Sequence, residues 1–179
     1  MAAGGSVWFA DETTLREFPP LRAAWARRGE QAVVAISGRN ARCVVHGAVN
    51  VVTGELVRVV RERNRGMDSA AFVAALAMHT VAGRSLLVWD NAPPHHTRLA
   101  RETAEAVGIT ILPLPFRSPE LMPCEDVWRE MKRVVAANRA YANVDELAQR
   151  GMDWLDDRSP DEVLRIAGLQ SSKFDWLPT

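Results

Sequence analysis

The sequence predicts an α/β domain: a mixed central sheet flanked by helices, with a helical C-terminal extension. Three observations predict it. Short runs rich in Val and Ile, joined by Gly and Asn turns, occupy the first third of the chain and imply antiparallel strands. Two short apolar runs, residues 86–89 and 109–112, each follow a helical stretch, as parallel strands covered on both faces do. Beyond Pro123 the chain reads as helix throughout. The 179 residues suit a single domain with a sizeable core.

Residues 7–10 read as the first strand, with Asp11-Glu12 at its end. The stretch 13–31 is irregular, since Pro19-Pro20 blocks regular pairing. Within it, 21–28 reads as a short helix carrying Arg22, Arg27 and Arg28. Three further strands are expected at 31–36, 41–52 and 55–61, with turns at Ser37-Gly38-Arg39-Asn40 and Thr53-Gly54. Cys43 and His46 read as ordinary strand residues, because no second pair offers zinc spacing. Arg58, Arg61, Arg63 and Arg65 form the densest basic stretch, suited to phosphate contact or to a charged strand edge.

A helix follows over 68–81, with Phe72, Leu76 and His79 on one face and Gly83 as its stop. The strand 86–89 ends on Asp90, and a carboxylate buried there is costly unless paired or metal-bound. A helix over 95–107 closes at Gly108, and the strand 109–112 runs into a loop punctuated by Pro113 and Pro115. The next helix opens near Pro123 and carries Glu125 close to its start. At about 100° per residue, Val127, Met131, Val134 and Val135 fall on one apolar arc and Trp128 lies at its margin. Glu125 lies on the polar side between Arg129, Lys132 and Arg133, and Asp126 points elsewhere. Asn143 can cap a helix over 144–156, and Ser159-Pro160-Asp161-Glu162 starts another that Gly168 ends. The tail places Phe174 and Trp176 for local packing or a partner subunit.

Composition narrows the function classes. Apolar residues make up 47 % and charged residues 25 %, ordinary values for a globular domain. Lys+Arg and Asp+Glu are both 22, so nucleic-acid binding would have to rest on local patches. Two cysteines make no disulfide framework. No apolar run is long enough to span a membrane and the start lacks signal-peptide features, so a cytoplasmic protein is expected.

Asp90-Asn91 followed by His95, then Ser118-Pro119 with Leu121, Pro123, Glu125 and Trp128, resembles the catalytic half of a DDE transposase. The likeness is to the mariner-like superfamily and its bacterial insertion-sequence relatives. Thirty-four residues separate Asp90 from Glu125, the spacing of that superfamily. Phe9-Ala10-Asp11-Glu12 fits its first acid, and Trp25 with Arg28-Gly29 fits a stretch that follows it. Arg117 and Met122 depart from the Tyr and Asn common at those places. The resemblance covers nearly the whole chain and implies a ribonuclease H-like fold, which the strand and helix order also suggests.

The resemblance further implies that Asp11, Asp90 and Glu125 are the catalytic acids and hold two Mg²⁺ or Mn²⁺ ions, Asp11 bridging them. Carboxylate oxygens are the ligands such hard cations choose. It implies DNA partners, both element ends and target DNA, and a homodimer. Asn91, His95, Arg129, Lys132 and Arg133 are the candidate nucleic-acid contacts; Asn91 could instead orient Asp90, and His95 could instead support a metal ligand. Only ten residues precede Asp11, so the family's N-terminal helix-turn-helix module is expected to be absent. A frameshift fusion or a separate DNA-binding polypeptide would then supply it. Two alternatives stay open: another ribonuclease H-like nuclease, and an inactive remnant that binds nucleic acid or assembles with a partner.

Overall fold

A computed structural model describes residues 5–34, 36, 38–80, 83–116, 118–175 and 177. Its centre is a five-stranded sheet of β1 (Ser6–Arg16), β2 (Arg42–Asn50), β3 (Leu56–Arg61), β4 (Ser85–Trp89) and β5 (Ile109–Pro113). The strand order is β3-β2-β1-β4-β5, with β1 to β3 antiparallel and β1, β4 and β5 parallel. This is the mixed sheet of the ribonuclease H-like fold. The helices are α1 (Gly66–Ala77), α2 (Arg98–Ala106), α3 (Pro123–Val135), α4 (Val144–Asp156) and α5 (Pro160–Ile166).

Alternation along β1 divides the core in two. Trp8 and Ala10 join Ala48, Val57, Phe72, Leu76, Leu87 and Trp89 on the face covered by α1 and α2. Phe9 and Leu15 join Val45, Val49, Val127, Trp128, Met131 and Leu147 on the face covered by α3 and α4. Trp128, expected at the margin of the α3 arc, is buried against β2 because Gly47 leaves room for it. A Cβ at Gly47 would stand 2.5 Å from Trp128 Cη2. Gly47→Ala is therefore expected to push α3 off the sheet and cost about 1–3 kcal/mol, read as a lowered urea midpoint. An unchanged midpoint would show that the indole can move aside freely.

Several expectations need correction. β1 continues to Arg16, because Thr13 to Arg16 pair with Arg42 to Val45 of β2. Asp11 thus lies within the strand, opposite Gly47. The strand expected over 31–36 is not formed at its described residues, and Val33 is 86 % exposed. Its described residues join no strand of the sheet. The helix expected over 21–28 is not formed: the segment is irregular and exposed, and Leu21 and Trp25, which would share one helical face, both face solvent.

The helix expected over 68–81 starts earlier. Asp68 accepts from the Arg65 backbone N–H at 3.0 Å, which moves the start to Gly66. It stops at Ala77, so His79 lies past its end and pairs with Glu55. The expected end at Val81 falls outside the described residues, as does Trp176. The helix expected over 95–107 divides into a 3₁₀ turn, Pro93–His96, and α2, which Thr97 caps. The two C-terminal helices match their expected starts at Asn143 and Ser159. Much of the basic stretch is internally engaged: Arg58 pairs with Asp156 and Arg65 with Asp68. Among the described residues no helix is long and apolar enough to cross a membrane.

Candidate active site

Register brings the first two acids together. Parallel pairing sets Ala10 beside Trp89, so Asp11 and Asp90 follow at the same level on adjacent strands. The third acid is delivered by the seating of α3. Pro123 occupies its first turn, the Cys124 thiol donates to the Phe9 carbonyl at 3.0 Å, and Trp128 packs on Gly47. These contacts hold Glu125 over Asp11.

Two adjoining clefts meet at the acids. One, of about 490 Å³, is lined by Asp11, Glu125, Arg22, Arg129 and Lys132 among others. The second, of about 330 Å³, is lined by Asp11, Asp90, Glu125, Asn91 and Phe116 among others. Burial, together with the negative charges of Glu12, Asp90 and Glu125, pushes the Asp11 carboxyl up to about 7. A carboxylate raised by like charges is relieved by a cation. The donor set, all carboxylate oxygens, suits a hard divalent ion.

Glu12 faces the opposite side of the sheet and was given no role in the sequence. Its Oε1 accepts from His46 Nδ1 at 3.1 Å, Trp89 Nε1 at 3.2 Å and His95 Nε2 at 3.0 Å. Asn64 reaches Oε2 at 3.4 Å. Burial opposes the Glu12 charge, but the His46 and His95 hydrogen bonds outweigh it and hold the carboxyl at about 2. His95 stacks on Trp89 with ring centroids 3.8 Å apart, and its Nδ1 lies 2.9 Å from Asp90 Oδ1. Burial opposes the imidazolium, yet Asp90 and Glu12 hold its pKa at about 9.

Glu12, Asp90 and His95 also offer three ligand atoms within 4.8 Å of one another. That trio is a poor metal site, because both nitrogens of a protonated His95 are donors and have no free lone pair. A proton already does the neutralising there. Asp90 Oδ1 is taken by His95 and by the Ala92 N–H at 3.0 Å, which leaves Oδ2 for the cleft.

The other candidate contacts divide. Lys132 lines the cleft half-buried; burial lowers its pKa against the pull of Asp11 and Glu125. Arg129 lines the same cleft while paired with Asp126, which Lys173 also holds at 2.6 Å. Asp126 is thus turned away from the acids. Arg133 is engaged by Glu130 and does not line the cleft. Asn91 donates to the Leu114 carbonyl, tying the Asp90 loop to the end of β5. His95 is buried with both nitrogens engaged, so it supports Asp90 from behind and does not face solvent. Arg117 lies outside the described residues. A cue to Glu12 was available: in an alternating strand it must share the buried face of Trp8 and Ala10, and a buried carboxylate needs donors.

Because Asp11 would exchange a proton for a cation, Mn²⁺ affinity is expected to rise with pH up to about 7 and level off above it. Calorimetric titrations across that range check this; a flat profile would mean that Asp11 is not a ligand.

The sheet order and the three converging acids define a ribonuclease H-like domain with a carboxylate centre. The family model of DDE superfamily endonucleases matches residues 6–148, and the chain belongs to that family. It is 24 % identical over 159 residues to the insertion element IS630 uncharacterized 39 kDa protein of Shigella sonnei, covering 86 % of this chain and 46 % of that protein. It superposes on the Mos1 mariner transposase catalytic domain with a TM-score of 0.64 at 16 % identity, over 91 % of this chain and 76 % of that one. Against the Mos1 paired end complex with Mg, the TM-score is 0.71 at 15 % identity, over 95 % and 53 % of the two chains. The chain thus spans about half the length of the curated relative it matches.

Proposed function

We propose that this chain is the catalytic domain of a DNA transposase, which cleaves DNA strands at element ends and joins the freed 3′-hydroxyl to target DNA. The observation that carries the reading is the convergence of Asp11, Asp90 and Glu125 from two parallel strands and a helix. Family membership and the insertion-element relative support transposition over other nuclease chemistry. The intact acids favour catalysis over a retained binding role.

Asp11 and Glu125 each line both clefts and Asp90 lines one, so the three carboxylates together could hold divalent cations, with Asp11 shared as the family resemblance implies. Asp90 and Glu125 would complete the two ligand sets. Mg²⁺ or Mn²⁺ held there would activate the attacking oxygen and neutralise the leaving one. The chain's own groups do the rest. Glu12 and His95 fix the Asp90 carboxylate, so that one oxygen faces the cleft. Lys132 places a cation beside the acids, where phosphate charge would collect. Pairing two element ends, as the Mos1 paired end complex does, calls for two copies, so we include a homodimer in the proposal.

The test is nicking of supercoiled plasmid by the purified chain with Mn²⁺ or Mg²⁺, alongside Mn²⁺ calorimetry and light scattering on DNA. Metal-dependent nicking that a chelator abolishes is the expected result. Absence of both metal binding and nicking would sink the catalytic reading and leave a nucleic-acid-binding or assembly domain.

A further inference from the structure

Asn138 is the only non-glycine residue with positive φ among the described residues, at 56°. It sits just past α3. Asn tolerates this left-handed region better than most side chains because its short amide can hydrogen-bond locally. Here the amide bonds to a distant segment instead. The Arg22 N–H donates to Asn138 Oδ1 at 2.8 Å, and Asn138 Nδ2 donates to the Arg22 carbonyl at 2.9 Å. The Asn138 N–H donates to the Pro20 carbonyl at 3.1 Å. Three hydrogen bonds therefore pin residues 20–22 to the end of α3, as a short strand pairing would.

The pinned segment begins a long connection between β1 and β2 whose described residues beyond Arg22 are almost all exposed. Its other end is held where Glu17 N–H donates to the Ala41 carbonyl at 2.9 Å. The consequence lies in the cleft. Arg22 lines it with Asp11, Glu125, Arg129 and Lys132. Arg129 is paired with Asp126, whereas Arg22 makes no ion pair among the described residues. Its charge also reaches Glu130, but that carboxylate already binds Arg133 through both oxygens.

We propose that Asn138 is a latch that holds Arg22 at the mouth of the carboxylate cleft, where its guanidinium binds a DNA phosphate next to the one being cut. The identity of the ligand rests on the transposase reading. Asn138 is a positioning residue, and Arg22 the phosphate contact. Guanidinium suits this role because it is always charged and presents paired donors to phosphate oxygens. Glycine at 138 would keep the backbone and lose both side-chain bonds. Aspartate would keep the acceptor and lose the donor.

The test is anisotropy of a labelled random-sequence DNA duplex on the full chain, with Ca²⁺ present, across a salt series. Arg22→Ala should weaken binding about tenfold and lower the log–log salt slope by about 0.9. Arg22→Lys should recover most of the affinity. Asn138→Gly should match Arg22→Ala, Asn138→Asp should fall between, and the Arg22→Ala/Asn138→Gly pair should be no weaker than Arg22→Ala alone. Mn²⁺ calorimetry should be unchanged in all of them. An unchanged affinity and slope in Arg22→Ala, additive losses in the double variant, or lost Mn²⁺ binding would each overturn the latch. A wild-type chain that shows this DNA-binding pattern but neither binds Mn²⁺ nor nicks would keep the latch and sink the transposase reading. One that nicks while Arg22→Ala binds DNA normally would do the reverse.

Discussion

Asp90→Asn is expected to lower metal-dependent nicking by at least about 10³-fold while leaving the fold intact. Asparagine matches aspartate in shape, and its oxygen can still accept from His95 and from the Ala92 N–H. The atom facing the cleft becomes an NH₂ group, which cannot ligate a cation. Repulsion on Asp11 falls at the same time, since Asp90 is one of the charges that raise its pKa. The variant should therefore melt no lower than the wild type in the absence of metal, yet lose Mn²⁺ affinity by calorimetry. Nicking that survives the change would place the chemistry elsewhere.

Glu12→Ala should be the most destabilising single change at the site. It leaves His46, Trp89, His95 and Asn64 without their shared acceptor. Glu12 is 9 % exposed at its side chain, and removing one partner of a buried ion pair costs about 3–5 kcal/mol. For a domain of this size that lowers the melting temperature by roughly 10 °C. A fall of only about 2 °C would mean that water replaces the carboxylate easily.

The same network sets a pH signature. The Glu12 carboxyl is depressed from 4.5 to about 2, so its contribution is present above 4.5 and lost as pH falls through about 2. The His95 imidazole is raised from 6.5 to about 9, so its contribution is full below 6.5 and lost as pH rises through about 9. Asp11 acts in the opposite sense to Glu12. Raised from 3.8 to about 7, it binds a proton more readily in the folded chain, and stability falls as pH rises between those values. Metal-free protein should thus melt at steadily lower temperature from about pH 4 to about pH 9, and bound Mn²⁺ should remove the Asp11 part of that slope. A melting temperature that rises across this range would contradict the assignment.

Elements with strong local signals were legible in the sequence. The caps at Asn143 and Ser159, the glycine stop at Gly108 and the apolar strand before Asp90 each act within a few residues. The three acids were legible through their spacing and resemblance. Residues 21–36 were misread because their apolar residues imitate a helix and a strand, whereas Leu21, Trp25 and Val33 stay exposed and join no packed element. Helical pattern is only a demand for a partner surface, and here none was available.

By itself the sequence determined the α/β class and most of its strands and helices, which follow from periodicity and caps among neighbouring residues, and through the family resemblance it named the three carboxylates. Only the tertiary structure decided that Asp11 and Asp90 share a level, that His95 turns inward between Glu12 and Asp90, that Trp128 seats α3 on Gly47, and that Asn138 reaches back to Arg22. Each is a contact between residues distant in the chain. Register, burial and hydrogen-bond reach set such contacts, and none of these is defined until the sheet has formed.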